Sequence, residues 1–82
     1  MRKSLQEKYL DRMHLVLREL SRRPLSRIEL QTRFMQKFDS PSAFEGTFLF
    51  LVRSGRVQKS GTEYRSPYKI TERGQKLLEA LS

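Results

Sequence analysis

Residues 25–55 read LSRIELQTRFMQKFDSPSAFEGTFLFLVRSG, and two helix starts stand inside them. Ser26 lies three residues before Glu29, while Leu25 and Leu30 occupy the positions that pack across a helix start. A capping box and a hydrophobic staple thus coincide. Together they satisfy two backbone N–H groups that the first turn leaves unpaired and set the direction in which the chain joins the helix. The spacing predicts a helix to about Phe38, with Leu30, Phe34 and Phe38 on its inner face. Asp39, Ser40 and Pro41 then leave room only for a tight turn. Ser40 is a good N-cap and Pro41 suits the first helical position, where no N–H is needed, so another helix is expected over residues 41–54.

At about 100° per residue, Phe44, Phe48, Leu51 and Val52 share one face of that helix, and Ser42, Gly46, Leu49 and Arg53 lie near the other. Gly55 is expected to end it in the left-handed conformation. Three of the five phenylalanines fall between residues 43 and 55, and the two charges there cancel. Phe50 falls toward the polar side, so it is expected either to pack under the hairpin that follows this helix or to join Leu49 in a partner-binding patch.

Upstream, LQEKYLDRMHLVLRELSRR (residues 5–23) sets Leu5, Tyr9, Met13, Val16, Leu17 and Leu20 at spacings of three and four, the stripe of an amphipathic helix. Pro24 disfavours helical geometry at Arg23, so this helix should stop near Ser21 or Arg22. Downstream of Gly55 the apolar period drops from 3.6 to 2. RVQKS and YRSPYKI, separated by GTE, predict a β-hairpin with Val57, Tyr64, Tyr68 and Ile70 inward and Arg56, Gln58, Arg65 and Lys69 outward. Pro67 removes a ladder donor and is expected on an open edge. Thr71 caps a last helix whose Leu77, Leu78 and Leu81 need a docking surface and whose Gly74 weakens its first turn.

The chain has 82 residues, read as a single domain spanning 1–82, and folding at this size hides only roughly 60–65% of the unfolded surface. That leaves no core for an enclosed substrate cavity. Lys and Arg number 17 against nine Asp and Glu, a net charge of +8 that favours anionic partners, nucleic acid first and acidic membrane surfaces second. A basic surface that only confers solubility is the plain alternative. Cysteine is absent, which excludes disulfides and thiolate metal sites, and His14 is the only histidine. The carboxylates are scattered singly and the four glycines match no phosphate-cradling loop, so neither catalysis, nor a metal, nor any cofactor or small-molecule ligand is expected. The longest apolar run, Phe48 to Val52, is far short of the roughly 20 residues of a membrane span, and no apolar signal core follows the first basic residues. A cytoplasmic protein is expected, associated with the nucleoid when bound to DNA.

Helix, capped helix, tight turn, helix, glycine and basic hairpin follow one another in the order of a winged helix-turn-helix domain. The stretches SPSAFEGTFLFLVRSGRVQKSG (residues 40–61) and SPYKITERGQKLLEAL (residues 66–81) resemble the third helix with its wing, and the junction to the last helix, of small PadR-like and MarR-like regulators. The resemblance implies an α+β fold of order α-α-α-β-β-α, with a three-helix core, a β-hairpin wing and a C-terminal helix. It also implies binding of double-stranded DNA through the third helix and the wing, and a two-fold homodimer built from terminal helices.

Charge follows the same division. Residues 22–40 carry five basic and two acidic side chains, residues 55–71 carry four and one, and residues 41–54 carry only Arg53 and Glu45. The charge therefore flanks the third helix, as expected if phosphates are held at its two sides while the helix itself meets the groove. On this reading Arg22, Arg23, Ser26, Arg27 and Arg33 grip one flank, and Lys59, Arg65 and Lys69 the other. Ser40 and Ser42 donate to phosphates or base edges, Gly46 admits a close backbone approach or packs on another helix, and Arg53 meets a phosphate. Glu45 is unfavourable near phosphates unless it accepts from a cytosine amine or pairs with an arginine. Leu10 and Leu15, off the main stripe of the first helix, are assigned with Leu77 and Leu78 to a dimer seam. The expected function is sequence-specific or semi-specific binding of double-stranded DNA in transcription regulation, with helix 41–54 in the major groove and wing 56–70 on the backbone. The alternative is a winged-helix protein–protein interaction module. RNA fits less well, because its A-form major groove is too narrow for a helix.

Overall fold

In the computed structural model the element order is α1 (Leu5–Arg22), α2 (Arg27–Phe34), α3 (Pro41–Arg53), β1 (Val57–Lys59), β2 (Tyr68–Ile70) and α4 (Glu72–Leu81). The structure describes residues 5–38 and 40–82, with side chains from Glu7 onward. The expected turn at Asp39 and the place of Leu5 on the apolar stripe lie outside the described residues. The order is α-α-α-β-β-α, an α+β fold.

Each boundary has a local cause. In α2, the Glu29 N–H donates to Ser26 Oγ at 3.2 Å, and the Ser26 N–H donates back to Glu29 Oε1 at 3.1 Å. Both staple leucines, Leu25 and Leu30, are fully buried beside this capping box. The helix closes at Phe34 and not at Phe38; the N–H groups of Lys37 and Phe38 both reach back to the Phe34 carbonyl, so the chain turns there while still burying the Phe38 ring. In α3, Ser40 caps the Ala43 N–H at 3.2 Å and Pro41 takes the first helical position. Its far end is a Schellman motif: Gly55 has φ +76°, its N–H donates to the Val52 carbonyl, and the Arg56 N–H donates to that of Leu51.

The core gathers Met13, Val16, Leu17 and Leu20 of α1, Leu25, Leu30, Phe34 and Phe38, Phe44, Phe48 and Leu51 of α3, and Val57 of β1. The aromatic face of α3 points into it. Phe44 stacks between Phe34 and Phe48, with centroids at 6.4 and 5.8 Å, and Phe48 meets Tyr68 of β2 edge-on at 4.8 Å. A continuous chain of rings therefore ties α2 and α3 to the hairpin. Thr47, buried on the same helix, donates its hydroxyl to the Ala43 carbonyl at 2.9 Å, so its burial leaves no unpaired donor.

The hairpin departs from expectation at its outer end. The strands pair Val57 with Ile70, Gln58 with Lys69 and Lys59 with Tyr68, and the ladder stops beyond them. Leu25, in the link between α1 and α2, lies along the other edge of β2: its N–H donates to Tyr68 O at 3.1 Å, and the Tyr68 N–H donates to Leu25 O at 2.7 Å. Since Tyr68 spends its backbone groups on Leu25, the backbone of Pro67 one residue earlier faces β1. The proline therefore sits on the paired side and not on an open edge. Its carbonyl accepts from both the N–H and the hydroxyl of Ser60, at 2.9 and 2.6 Å, and the missing N–H ends the ladder. Residues 60–67 form the tip, turning where the Ser66 N–H donates to Glu63 O at 3.1 Å. Tyr64 is a corner residue of that turn and projects into solvent, 87% exposed, instead of entering the core.

α4 begins at Thr71, whose Oγ1 accepts from the Gly74 N–H at 3.1 Å and donates to Gly55 O at 2.6 Å. Leu77, Leu78 and Leu81 then pack half-buried against the core. Gly74 is required by close approach: a Cβ there would sit 2.2 Å from Arg56 O and 2.7 Å from Ile70 Cγ1.

Candidate functional site

The start of α2 and the tip of the hairpin face each other because Leu25 is bonded to Tyr68. One residue past the Ser26 cap comes Arg27. Across from it, strand alternation settles which hairpin side chains look the same way: Lys59 and Tyr68 are register partners on the face that carries Val57 and Ile70, while Gln58 and Lys69 lie on the other. A cleft of about 360 Å³ results, with Ser26, Arg27 and Ile28 on one wall and Lys59, Tyr64, Arg65 and Tyr68 on the other. Arg27, Lys59 and Arg65 thus come together, although the first and the last are 38 positions apart in the chain.

Arg27 is tied to α3. Its Nη2 donates to Glu45 Oε1, and its guanidinium lies 5.9 Å from the Phe48 ring centroid. Both side chains of the pair are about two-fifths exposed, so the bridge adds little to stability, but it neutralises one of the three cations and gives Glu45 its arginine partner. Arg33 is not part of this group. Leu30 and Phe34 form the buried stripe of α2, and Arg33 emerges on its α1 side, where Nη1 donates to Glu19 Oε1 at 2.8 Å. Arg22 approaches the same carboxylate at 4.0 Å, and Arg23 is exposed in the link that follows. The basic flank foreseen at residues 22–33 is therefore divided between two sides of α2.

With Phe44, Phe48 and Leu51 inward, the outward strip of α3 is Ser42, Gly46, Leu49 and Arg53, bordered by Glu45 toward α2 and Phe50 toward α1. Ser42 and Gly46 are exposed, and nothing lies within 4 Å of where a Gly46 Cβ would be, which removes helix packing as the reason for that glycine. Ser40 Oγ is engaged in capping. Phe50 meets Tyr9 of α1 edge-on at 5.9 Å and touches the hairpin segment only through the Arg56 guanidinium, 5.8 Å from its centroid, and it stays 40% exposed. This turns Arg56 away from the outward hairpin residues, with its Nε buried and lacking a hydrogen-bond partner. Tyr9, Leu49, Phe50 and Arg53 line a shallow depression at the α1 side of the strip.

Lys69 is exposed on the far face of the hairpin, away from the cleft. Of the four leucines assigned to a dimer seam, Leu15, Leu77 and Leu78 are half-buried against the core and only Leu10, at 36%, is exposed. Ile28, which the sequence did not single out, and Tyr64 and Tyr68, which it assigned to the core, complete the cleft. Pro67 was the available signal, since a ladder that ends there releases Tyr64 from strand alternation. Among the described residues the Glu29 carboxyl is held below its ordinary 4.5, first by the hydrogen bond it accepts from the Ser26 backbone and then by the Ser26 side chain. Among the described residues, no three His, Asp or Glu converge as a metal site would require, and no helix is long and apolar enough to cross a membrane. No protein-family model, no curated protein and no solved structure matches the chain.

Proposed function

We propose that this chain is a winged-helix protein that binds double-stranded DNA and regulates transcription, with α3 in the major groove and residues 56–70 as a wing against the backbone. The observation that carries the reading is the convergence of Arg27, Lys59 and Arg65 on one cleft beside the outward strip of α3. Phosphate neutralisation supplies most of the affinity in such complexes, and base edges are read by short groups on the inserted helix. Ser42, Gly46 and Arg53 give α3 a small-residue strip with one cation at its end, a profile that a B-form major groove accommodates.

Fluorescence anisotropy on mixed-sequence duplexes is the test. Submicromolar binding at low salt is expected, weakening with a log–log slope of roughly 0.9 per phosphate contacted. Arg27→Glu combined with Arg65→Glu should lower that slope by about 1.8 and leave the fold and the oligomeric state intact. Absence of duplex binding at low salt overturns the reading.

The exposed Phe50 beside Tyr9 and Leu49 favours a second reading, a protein–protein interaction module whose surface is the depression between α1 and α3. Under it, the double charge reversal leaves partner binding unchanged and Phe50→Ala abolishes it.

A further inference from the structure

The cleft between α2 and the hairpin tip contains more than phosphate contacts require. Tyr64 is 87% exposed and Ile28, on the opposite wall, 57% exposed. Neither ring nor alkyl chain gains from a phosphate, and a large apolar surface left in water is the informative kind of exposure. The tip that presents Tyr64 is built to hold it. Ser60 binds Pro67 O twice, the Ser66 N–H closes the turn on Glu63 O, and a Cβ at Gly61 would lie 2.6 Å from Ser66 Oγ, so the two arms of the loop are in contact. Lys59 Nζ stands 5.9 Å from the Tyr64 centroid. The combination is an exposed aromatic ring carried on a closed loop, an apolar side chain on the facing wall, and three cations shared between the two walls, Arg27 beside Ile28 and Lys59 and Arg65 beside Tyr64.

An occupant that uses all of it has a flat apolar face and an attached anion, which describes a nucleotide. Within an intact duplex both faces of each internal base are already stacked, so away from the ends, which the two test duplexes share, only an unpaired base can supply the flat face. Resting on the proposed duplex binding, we infer that the cleft takes one unpaired nucleotide at a disrupted position of duplex DNA, its base against Tyr64 and its phosphate among Arg27, Lys59 and Arg65. The protein is then selective for bulged over fully paired duplex.

The experiment compares a labelled 20-base-pair blunt duplex with the same duplex carrying one extruded adenosine, using the full chain. The bulged duplex should bind about five- to 150-fold more tightly, the range of one base stacked on an aromatic side chain. Tyr64→Ala should bring the ratio of bulged to blunt affinity down to about one, and Tyr64→Phe should restore the parent ratio. With 2-aminopurine as the extruded base, fluorescence should be quenched by the parent protein and by Tyr64→Phe but not by Tyr64→Ala. Because Tyr64 is exposed, all three proteins should share one melting temperature. Equal affinity for the two duplexes overturns the inference and leaves duplex binding standing; no binding of either overturns both. Adenosine monophosphate that competes fully in the absence of any bulge preference also overturns it, since the site would then serve free nucleotides.

Discussion

Two glycines inside helices should respond to the same substitution with opposite signs. At Gly74, in the first turn of α4, an added methyl would fall 2.2 Å from the Arg56 carbonyl oxygen and 2.7 Å from Ile70 Cγ1. Ordinary contact demands about 1 Å more than that, and the obstacle is backbone, which does not swing aside as a side chain would. Moving α4 away strains the Thr71 hydroxyl bond to Gly55 O, 2.6 Å, and the Thr71 N–H bond to Arg56 O, 3.1 Å. Overpacking of this kind costs about 1–3 kcal/mol, and weakening one hydrogen bond about 1 more. The better helix propensity of alanine returns at most about 1 kcal/mol. Gly74→Ala should therefore lose about 2 kcal/mol, a fall in melting temperature of about 8–16 °C for a domain of this size. Gly46 is exposed within α3 with nothing within 4 Å, so only the propensity gain operates there. Gly46→Ala should gain about 0.5–1 kcal/mol, a rise of about 2–8 °C. Thermal unfolding followed by far-ultraviolet circular dichroism reads both. A Gly74→Ala protein that melts at or above the parent temperature refutes the packing argument, and a Gly46→Ala protein that melts below it refutes the open surface on α3.

The same Gly46→Ala protein should bind duplex DNA at least about fivefold more weakly by anisotropy while being the more stable of the two, because its methyl stands where a groove-bound helix would approach the bases. Glu45→Gln should remove the carboxylate that competes with phosphate for Arg27, so that duplexes bind up to about fivefold more tightly at low salt while the log–log slope, which already counts Arg27, stays that of the parent; no gain in affinity means that Arg27 stays off the DNA. The capping box gives a pH signature. The Glu29 carboxyl is held below its ordinary value in the folded chain, so its contribution to stability is complete above about pH 4.5 and is lost as pH falls through the lowered value. The melting-temperature difference between the parent and Glu29→Gln should shrink from pH 6 to pH 3, and a difference independent of pH excludes an ionised Glu29 in the cap.

The starts of α2 and α3 and the end of α3 were legible because their causes are local, whereas the end of α2, which no cap marks, was placed four residues too far. Ser26 with Glu29, Ser40 with Pro41, and Gly55 each act on a backbone group within four residues, and each does so in the structure. The inward side of α3 was legible for a similar reason, since a period of 3.6 is a property of one element alone. Where the reading failed, the decisive partner lay elsewhere in the chain. Period-two alternation carried Tyr64 into the core only while the strand was assumed to continue; the ladder ends at Pro67 because Leu25 holds the opposite edge of β2 and turns the proline nitrogen toward β1. Gly74 looked like a weakness of α4 until the Arg56 carbonyl beneath it was known.

Charge is the clearest case of this limit, because a sum over a segment cannot say which cations are already answered. Residues 22–40 carry a net excess of three positive charges, yet Arg33 is bonded to Glu19 from α1 and Arg27 to Glu45 from α3, both carboxylates lying outside the segment that was summed. The two bridges differ in what surrounds them. Arg33 and Glu19 lie on the α1 side of α2, away from Lys59 and Arg65, so a polyanion in the cleft gives them no reason to part. Arg27 and Glu45 stand at its rim, with two further cations on the facing wall. A phosphate arriving there competes with Glu45 for the guanidinium in an environment already biased toward negative charge, and an exchange between exposed partners costs little. On the proposed reading Glu45 would serve in turn as the group that holds Arg27 in position while the cleft is empty and, once released, as an acceptor at the edge of the α3 strip. A carboxylate in that place accepts from the cytosine amine and is repelled by the acceptor-rich edge of guanine, so it adds discrimination while lowering affinity. Glu45→Gln should accordingly bind mixed duplexes more tightly and distinguish them less, a pairing of effects that loss of a merely structural salt bridge would not produce.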